Sequence, residues 1–333
     1  MFLPEPDFDT LNALLTQERR YSTKDFLNQP ECQVNLDIDA DCRTKMVAWC
    51  LQVVDFCHFD RESVEISMRN LDRFLLTPMG RIALQNRTVY QLLAMTSLYT
   101  TIKINEPEAI NPSTVSSLSR GSYSAKQVEM MERTLLETLE WRVNPVTSMA
   151  FVRAILDVIP DTCLPAAERK AVLELCKIQT ELAAKDYNLI LVKPSVMAYS
   201  SLTNALESLP RPSQRVLSHM EQVMSRILKI NQSDVVRMKD YLLTAVVEKE
   251  PTRRSTKTRR QCQSQTPATP SFKQPRRESC SPRPVAARKH AMKLECYIIH
   301  NLEPTDCTNS LVALSHYDDR GFERSSELLD LQF

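Results

Sequence analysis

Glycine is nearly missing: there are three in 333 residues, Gly80, Gly121 and Gly321, none near another. A phosphate-cradling loop needs several glycines within a few positions. Neither a P-loop nor a dinucleotide-binding fingerprint can be formed, which excludes the common α/β nucleotide enzymes. Tight hairpins lean on glycine at positive φ, so meanders, sandwiches and barrels are disfavoured as well. No Cys-x-x-Cys occurs among the ten cysteines, and their irregular spacing predicts reduced, mostly buried thiols rather than a disulfide framework. His58, His219, His290, His300 and His316 stand singly, without the paired spacing that puts two zinc ligands on one helix face. No apolar run approaches the roughly 18 residues of a membrane-spanning helix. Residues 1–8 lack the basic flank and apolar stretch of a secretory signal, so the chain is expected to stay inside the cell with no membrane partner.

What is present is the composition of a soluble globular protein, 43% hydrophobic and 25% charged, at a length that suits two domains of ordinary size. The net charge of +1 conceals an asymmetry: residues 249–293 carry +11 and residues 294–333 carry −6, which leaves −4 for residues 1–248. The basic stretch holds Ser, Thr, Gln and Pro in place of periodic apolar residues, so it cannot bury enough surface to offset its ordering entropy. It reads as a disordered basic tail followed by an acidic C-terminal segment.

Within residues 1–248 apolar side chains recur at three and four positions, the helical period. Met46, Trp49, Cys50, Val53, Val54 and Cys57 make a first stripe, with Asp41 as its N-cap. A second helix is predicted over 62–76, ending before Pro78, and a third over 88–104 that is apolar on most sides and therefore central. A short helix follows Pro112. A fifth covers 124–139, opened by the capping-box pair Ser124 and Gln127. A comparable series follows Pro145, over 147–158, 166–185, 195–209, 213–228 and 233–248, so an internal structural repeat is expected. The fold class read from these patterns is all-α. It comprises an N-terminal helix and lead-in over 1–40, one five-helix unit over 41–144 and a second over 145–248.

Three passages in the first unit resemble the cyclin box: RTKMVAWCLQV at 43–53, ISMRNLDRFL at 66–75 and YSAKQVEMMERTLLETLEW at 123–141. KPSVMAYSSL at 193–202 is similar to the start of the central helix in the family's second fold. The resemblance implies two tandem cyclin-box folds and a regulatory subunit of a cyclin-dependent serine/threonine kinase. It places the family's four characteristic charges on Arg43, Asp72, Lys103 and Glu132. Lys103 and Glu132 are then expected to face the kinase, and Arg43 and Asp72 to pair internally. Ile104, Leu136 and Trp141 fall where the family has apolar kinase contacts, although Trp141 reads equally well as core. Where the family often has paired acids after its lysine, this chain reads Ile104, Asn105, Glu106.

The family's groove for Arg-x-Leu segments of substrates or inhibitors maps onto Met46, Trp49, Gln52 and Gln91. Cys42 and Lys45 replace larger or apolar groups and Gln52 replaces the acid, so like-charge repulsion from Lys45 weakens the expected docking. Residues 11–27 and 141–160 look like the G1, D-type branch. The string nearest to that branch's pocket-protein motif, Leu294 to Ile298, lacks the final Glu.

In the tail, Thr266, Thr269 and Ser281 each precede proline, the pattern a bound cyclin-dependent kinase would phosphorylate. Each phosphate would add about −1.5 to −2 charges to the basic stretch. Lys/Arg clusters there serve nuclear import or polyanion binding, and residence in both nucleus and cytoplasm is expected. No catalytic constellation, cofactor or metal site is expected; Cys262, Cys280, Cys296 and Cys307 with His290 and His300 have gaps too long and uneven for zinc. The alternative reading is a cyclin-fold adaptor in transcription without kinase activation, with nucleic acid on the basic tail; nucleic acid is not otherwise expected as a partner.

Overall fold

Wherever apolar residues recur at the helical period the chain is helical, and no strand occurs among the described residues. The structure is a computed structural model that describes residues 8–28, 36–209 and 214–249. After helix α1 (Asp9–Arg20) come α2 (Ala40–Phe56), α3 (Glu62–Leu75), α4 (Pro78–Leu84), α5 (Arg87–Asn105), α6 (Pro112–Leu118) and α7 (Ala125–Thr138). The second series is α8 (Ser148–Val158), α9 (Ala166–Lys185), α10 (Pro194–Glu207), α11 (Gln214–Gln222) and α12 (Gln232–Lys249). The basic and acidic tail segments, with Thr266, Thr269 and Ser281, lie outside the described residues.

Local chemistry sets the helix boundaries. At α7 the capping box forms: Ser124 Oγ accepts from Gln127 N and the Gln127 side chain accepts from Ser124 N. At α2 the sequence expectation is corrected. Asp39, not Asp41, is the N-cap, because its carboxylate reaches the third helical N–H, Cys42 N, at 2.8 Å. Asp41 lies in the first turn and pairs with Lys45 at 3.1 Å. Pro78 also does more than follow a helix end. Thr77 caps Gly80 N and Pro78 takes the first helical position, where its missing N–H costs nothing, so an unexpected sixth helix, α4, joins the first fold. Gly80 is required there, since a Cβ would stand 2.2 Å from Phe74 O. In the second fold the single helix expected over 213–228 divides. After α11 the chain widens into a π-type turn (Val223–Leu228), closed by Lys229 N bonding Met224 O at 2.9 Å with Lys229 left-handed.

Two buried helices organise the two folds. α5 carries charge only at its ends, Arg87 and Lys103, and is buried along its middle against α3, α4 and α7. α10 has the same role against α8, α9 and α12. Between the folds the chain interlocks. Leu11 and Leu15 of α1 sit in the core of the second fold, whereas Tyr187 and Ile190, from the second half of the chain, sit in the core of the first. Phe26 meets Tyr187 edge to face, 5.1 Å between ring centroids. The Glu18 carboxylate accepts from Ser195 N at 2.8 Å and from Ser195 Oγ at 3.0 Å, which ties the end of α1 to the start of α10. Of the five cysteines among the described residues, Cys42, Cys50 and Cys176 are buried; burial pushes the Cys50 and Cys176 thiols up to about 12.

Candidate functional site

The C-terminal end of α5 and the outer side of α7 lie side by side, and this juxtaposition brings Lys103 to Glu132. Lys103 Nζ is 3.2 Å from each Glu132 carboxylate oxygen and 5.5 Å from the centroid of the Tyr99 ring. Burial works against the lysine charge, but the hydrogen bonds and charge of Glu132 outweigh it and hold Lys103 above the ordinary lysine value. The Lys103 side chain is 50% exposed and that of Glu132 12%. A cation therefore stands at the surface on a carboxylate set beneath it, and Lys103 has N–H donor capacity left for an incoming acceptor.

Apolar residues follow on the same two elements. Ile104 is 49% exposed and Trp141 71%, so Trp141 is a surface residue and not core. Leu136 is half-buried, packed on the first core, and its carbonyl accepts from Trp141 N at 2.8 Å. Glu140 and Trp141 both have left-handed backbones, φ 53° and 61°; Glu140 closes α7 as a left-handed cap, with Glu140 N on Glu137 O and Trp141 N on Leu136 O, and Trp141 beyond it holds a conformation that costs roughly 1 to 3 kcal/mol for a non-glycine residue. The lone acid of the Ile104, Asn105, Glu106 stretch is committed inward: Glu106 Oε1 accepts from Asp60 N at 3.1 Å and Ser63 Oγ at 2.6 Å.

Arg43 and Asp72 meet as a two-pronged pair, Nε to Oδ1 at 2.9 Å and Nη2 to Oδ2 at 2.8 Å, and both residues are buried. The third guanidinium nitrogen, Nη1, donates to Ala184 O in α9 at 3.0 Å. The pair thus joins α2 to α3 and both to the second fold.

The sequence matches the family model described as cyclin, N-terminal domain, over residues 9–144, and that described as cyclin, C-terminal domain, over residues 146–275. The chain belongs to the cyclin family. Among curated relatives it is 25% identical over 240 residues to G1/S-specific cyclin-D2 of Xenopus laevis, covering 70% of this chain and 77% of that one. It is 27% identical over 206 residues to cyclin-G1 of Mus musculus, covering 60% of this chain and 68% of that one. The X-ray structure of a viral cyclin from herpesvirus saimiri has the same fold at a TM-score of 0.56 and 19% identity, over 71% of this chain and 97% of that one.

Of the residues assigned to substrate docking in this cyclin, Met46 lies in the first core with 1% exposure and offers no groove surface. Trp49 is half-buried on the same core, and Gln91 is engaged internally, its Oε1 accepting from Tyr123 OH at 2.9 Å. Gln52 Oε1 is buried without a hydrogen-bond partner. No group of three or more His, Cys, Asp or Glu suited to a metal occurs among the described residues, and no described helix is long and apolar enough to cross a membrane.

Sequence reasoning missed the polar side chains that bind the cyclin's two folds together. The Glu65 carboxylate accepts from Ser148 N and Oγ, both at 3.0 Å, at the start of α8. Glu62 accepts from Thr147 Oγ1 and pairs with Arg153 at 2.7 Å. The signal that could have found them is acids at 62 and 65, one turn apart, in a passage whose counterparts are a Thr-Ser helix start.

Proposed function

We propose that this cyclin binds and activates a cyclin-dependent serine/threonine kinase through the face formed by Lys103, Glu132, Ile104, Leu136 and Trp141. The observation that carries the reading is the half-exposed Lys103 held on Glu132, together with two exposed apolar side chains on the same two helices or just past their ends, Ile104 at the end of α5 and Trp141 just after α7. Aromatic and aliphatic anchors around a polar pair make a surface that a partner helix can cover. The lysine would donate to carbonyls of the kinase's regulatory segment while the apolar groups bury the face of its helix. Turning that helix inward aligns the kinase's own Lys–Glu pair with ATP. The chain is a regulatory subunit in this reading; the phosphoryl-transfer groups belong to the kinase.

Likeness to relatives named G1/S-specific supports a place at the G1/S transition. The tail's basic clusters support residence in both nucleus and cytoplasm, and its proline-directed sites, Thr266, Thr269 and Ser281, have the pattern that the bound kinase would phosphorylate. Substrate docking at Trp49 and Gln52 is weak in this proposal, since Lys45 repels an incoming arginine.

The test is co-purification of the full chain with cyclin-dependent kinases. Lys103→Ala and the volume-conserving Glu132→Gln, used beside Glu132→Ala because the Glu132 side chain is only 12% exposed, are expected to lose the kinase while the chain stays folded by circular dichroism; the half-exposed Lys103 contributes only about 0 to 1 kcal/mol to folding. Normal kinase binding by these variants would overturn the proposal and favour the adaptor reading.

A further inference from the structure

The left-handed pair Glu140 and Trp141 opens the linker between the folds, and the next three residues are held by side chains from elsewhere. Arg73 Nη1 donates to Arg142 O at 2.5 Å, Asn70 Nδ2 to Val143 O at 2.7 Å, and Gln17 Nε2 to Asn144 O at 2.7 Å. Three successive carbonyls are thus gripped, two of them by residues one turn apart on α3 and the third by α1. Asn70 is buried, so its side chain is fixed by the core around it. Arg73 is half-buried, and its guanidinium lies 4.6 Å from the centroid of the Tyr21 ring, just beyond α1. No carboxylate forms a salt bridge with Arg73 among the described residues. Its fork serves the linker backbone and the ring, where an ordinary surface arginine would pair with an acid.

A backbone in a sparsely populated region persists only where its surroundings over-determine it. Trp141 N is held from one side by Leu136 O, and Arg142 O is held from the other by Arg73. Between these two bonds the tryptophan backbone is held, and its side chain stands 71% exposed.

We propose that Arg73, braced by Tyr21, is a positioning residue for Trp141: it fixes the left-handed linker and so presents the indole to the kinase. The partner part of this inference rests on the proposed function; the conformational part does not. It also couples the N-terminal segment, through Tyr21, to the binding face.

Two measurements test it. The chain has two tryptophans, so in a Trp49→Phe background Trp141 alone reports by fluorescence. Arg73→Gln in the free chain is expected to shift the Trp141 emission and change its quenching by acrylamide, and Arg73→Lys to restore part of both. Unchanged emission and quenching would overturn the positioning role whether or not a kinase binds. In the complex, Arg73→Gln is expected to weaken kinase affinity about tenfold, yet by less than about twofold in a Trp141→Ala background, since contacting or coupled residues are non-additive. Additive losses would show that Arg73 acts otherwise than through Trp141. Should Arg73→Gln not fold, Tyr21→Leu, which leaves all three linker bonds in place, takes its position in the same cycle with a smaller loss expected. Failure of the wild-type chain to bind any cyclin-dependent kinase counts against the proposed function, and the fluorescence result on the free chain still decides the positioning role.

Discussion

Arg43 commits all three guanidinium nitrogens, two to the buried Asp72 and one to the part-buried Ala184 O. Removing one charge strands the other in the interior, which costs about 3 to 5 kcal/mol, whereas the pair as a whole contributes far less. Asp72→Asn and Arg43→Gln are therefore expected each to lower unfolding free energy by about that amount in urea titrations. A loss under 1 kcal/mol would mean that water reaches the pair. This pairing was legible in the sequence only through resemblance, because two charged residues 29 positions apart carry no periodic signal. Asn70, Arg73 and Gln17 were not legible at all. Their acceptors are backbone carbonyls, which every residue possesses, so no pairing of residue types marks the contact. Met46 failed for a related reason: an apolar residue on a helix reads alike as groove floor and as core.

At the scale of single elements the boundaries follow caps, and the caps were mostly readable. Ser124 with Gln127 was found because both halves of the box are side chains at a fixed spacing. Asp39 and Asp41 flank the same helix start, and only the reach of the carboxylate to Cys42 N decides between them. α4 was lost because Pro78 was read only as a stop, although Thr-Pro is also a start. Gly80 is the residue that lets α4 close onto the end of α3, with Phe74 O and Leu75 Cα where a side chain would go. Gly80→Ala must push backbone against backbone, so it is expected to destabilise by about 1 to 3 kcal/mol or more despite alanine's better helix propensity. Thermal melting checks it, and a stabilised variant would contradict the close approach.

For the whole molecule, the sequence divides into two series of helices, but the packing does not respect that division. α1 completes the second core and Tyr187 with Ile190 completes the first, while Arg43, Glu62, Glu65 and Arg61 reach across, the last to Glu181 at 2.6 Å. Leu11 is fully buried among second-fold residues, so Leu11→Ala is expected to cost about 2 to 5 kcal/mol. Because the folds are interlocked, the loss should also lower the urea midpoint seen by Trp49 in the first fold, in step with the far-ultraviolet signal. Two separated transitions would show that the folds unfold independently. The same exchange has a bearing on how the protein is made. The α8 residues that cover Leu11 follow it by about 140 residues, on the order of ten seconds of synthesis. Until then α1 has no home, so the newborn chain carries its apolar strip uncovered, and a segment made ahead of the whole first fold is packed only after the second has begun to emerge.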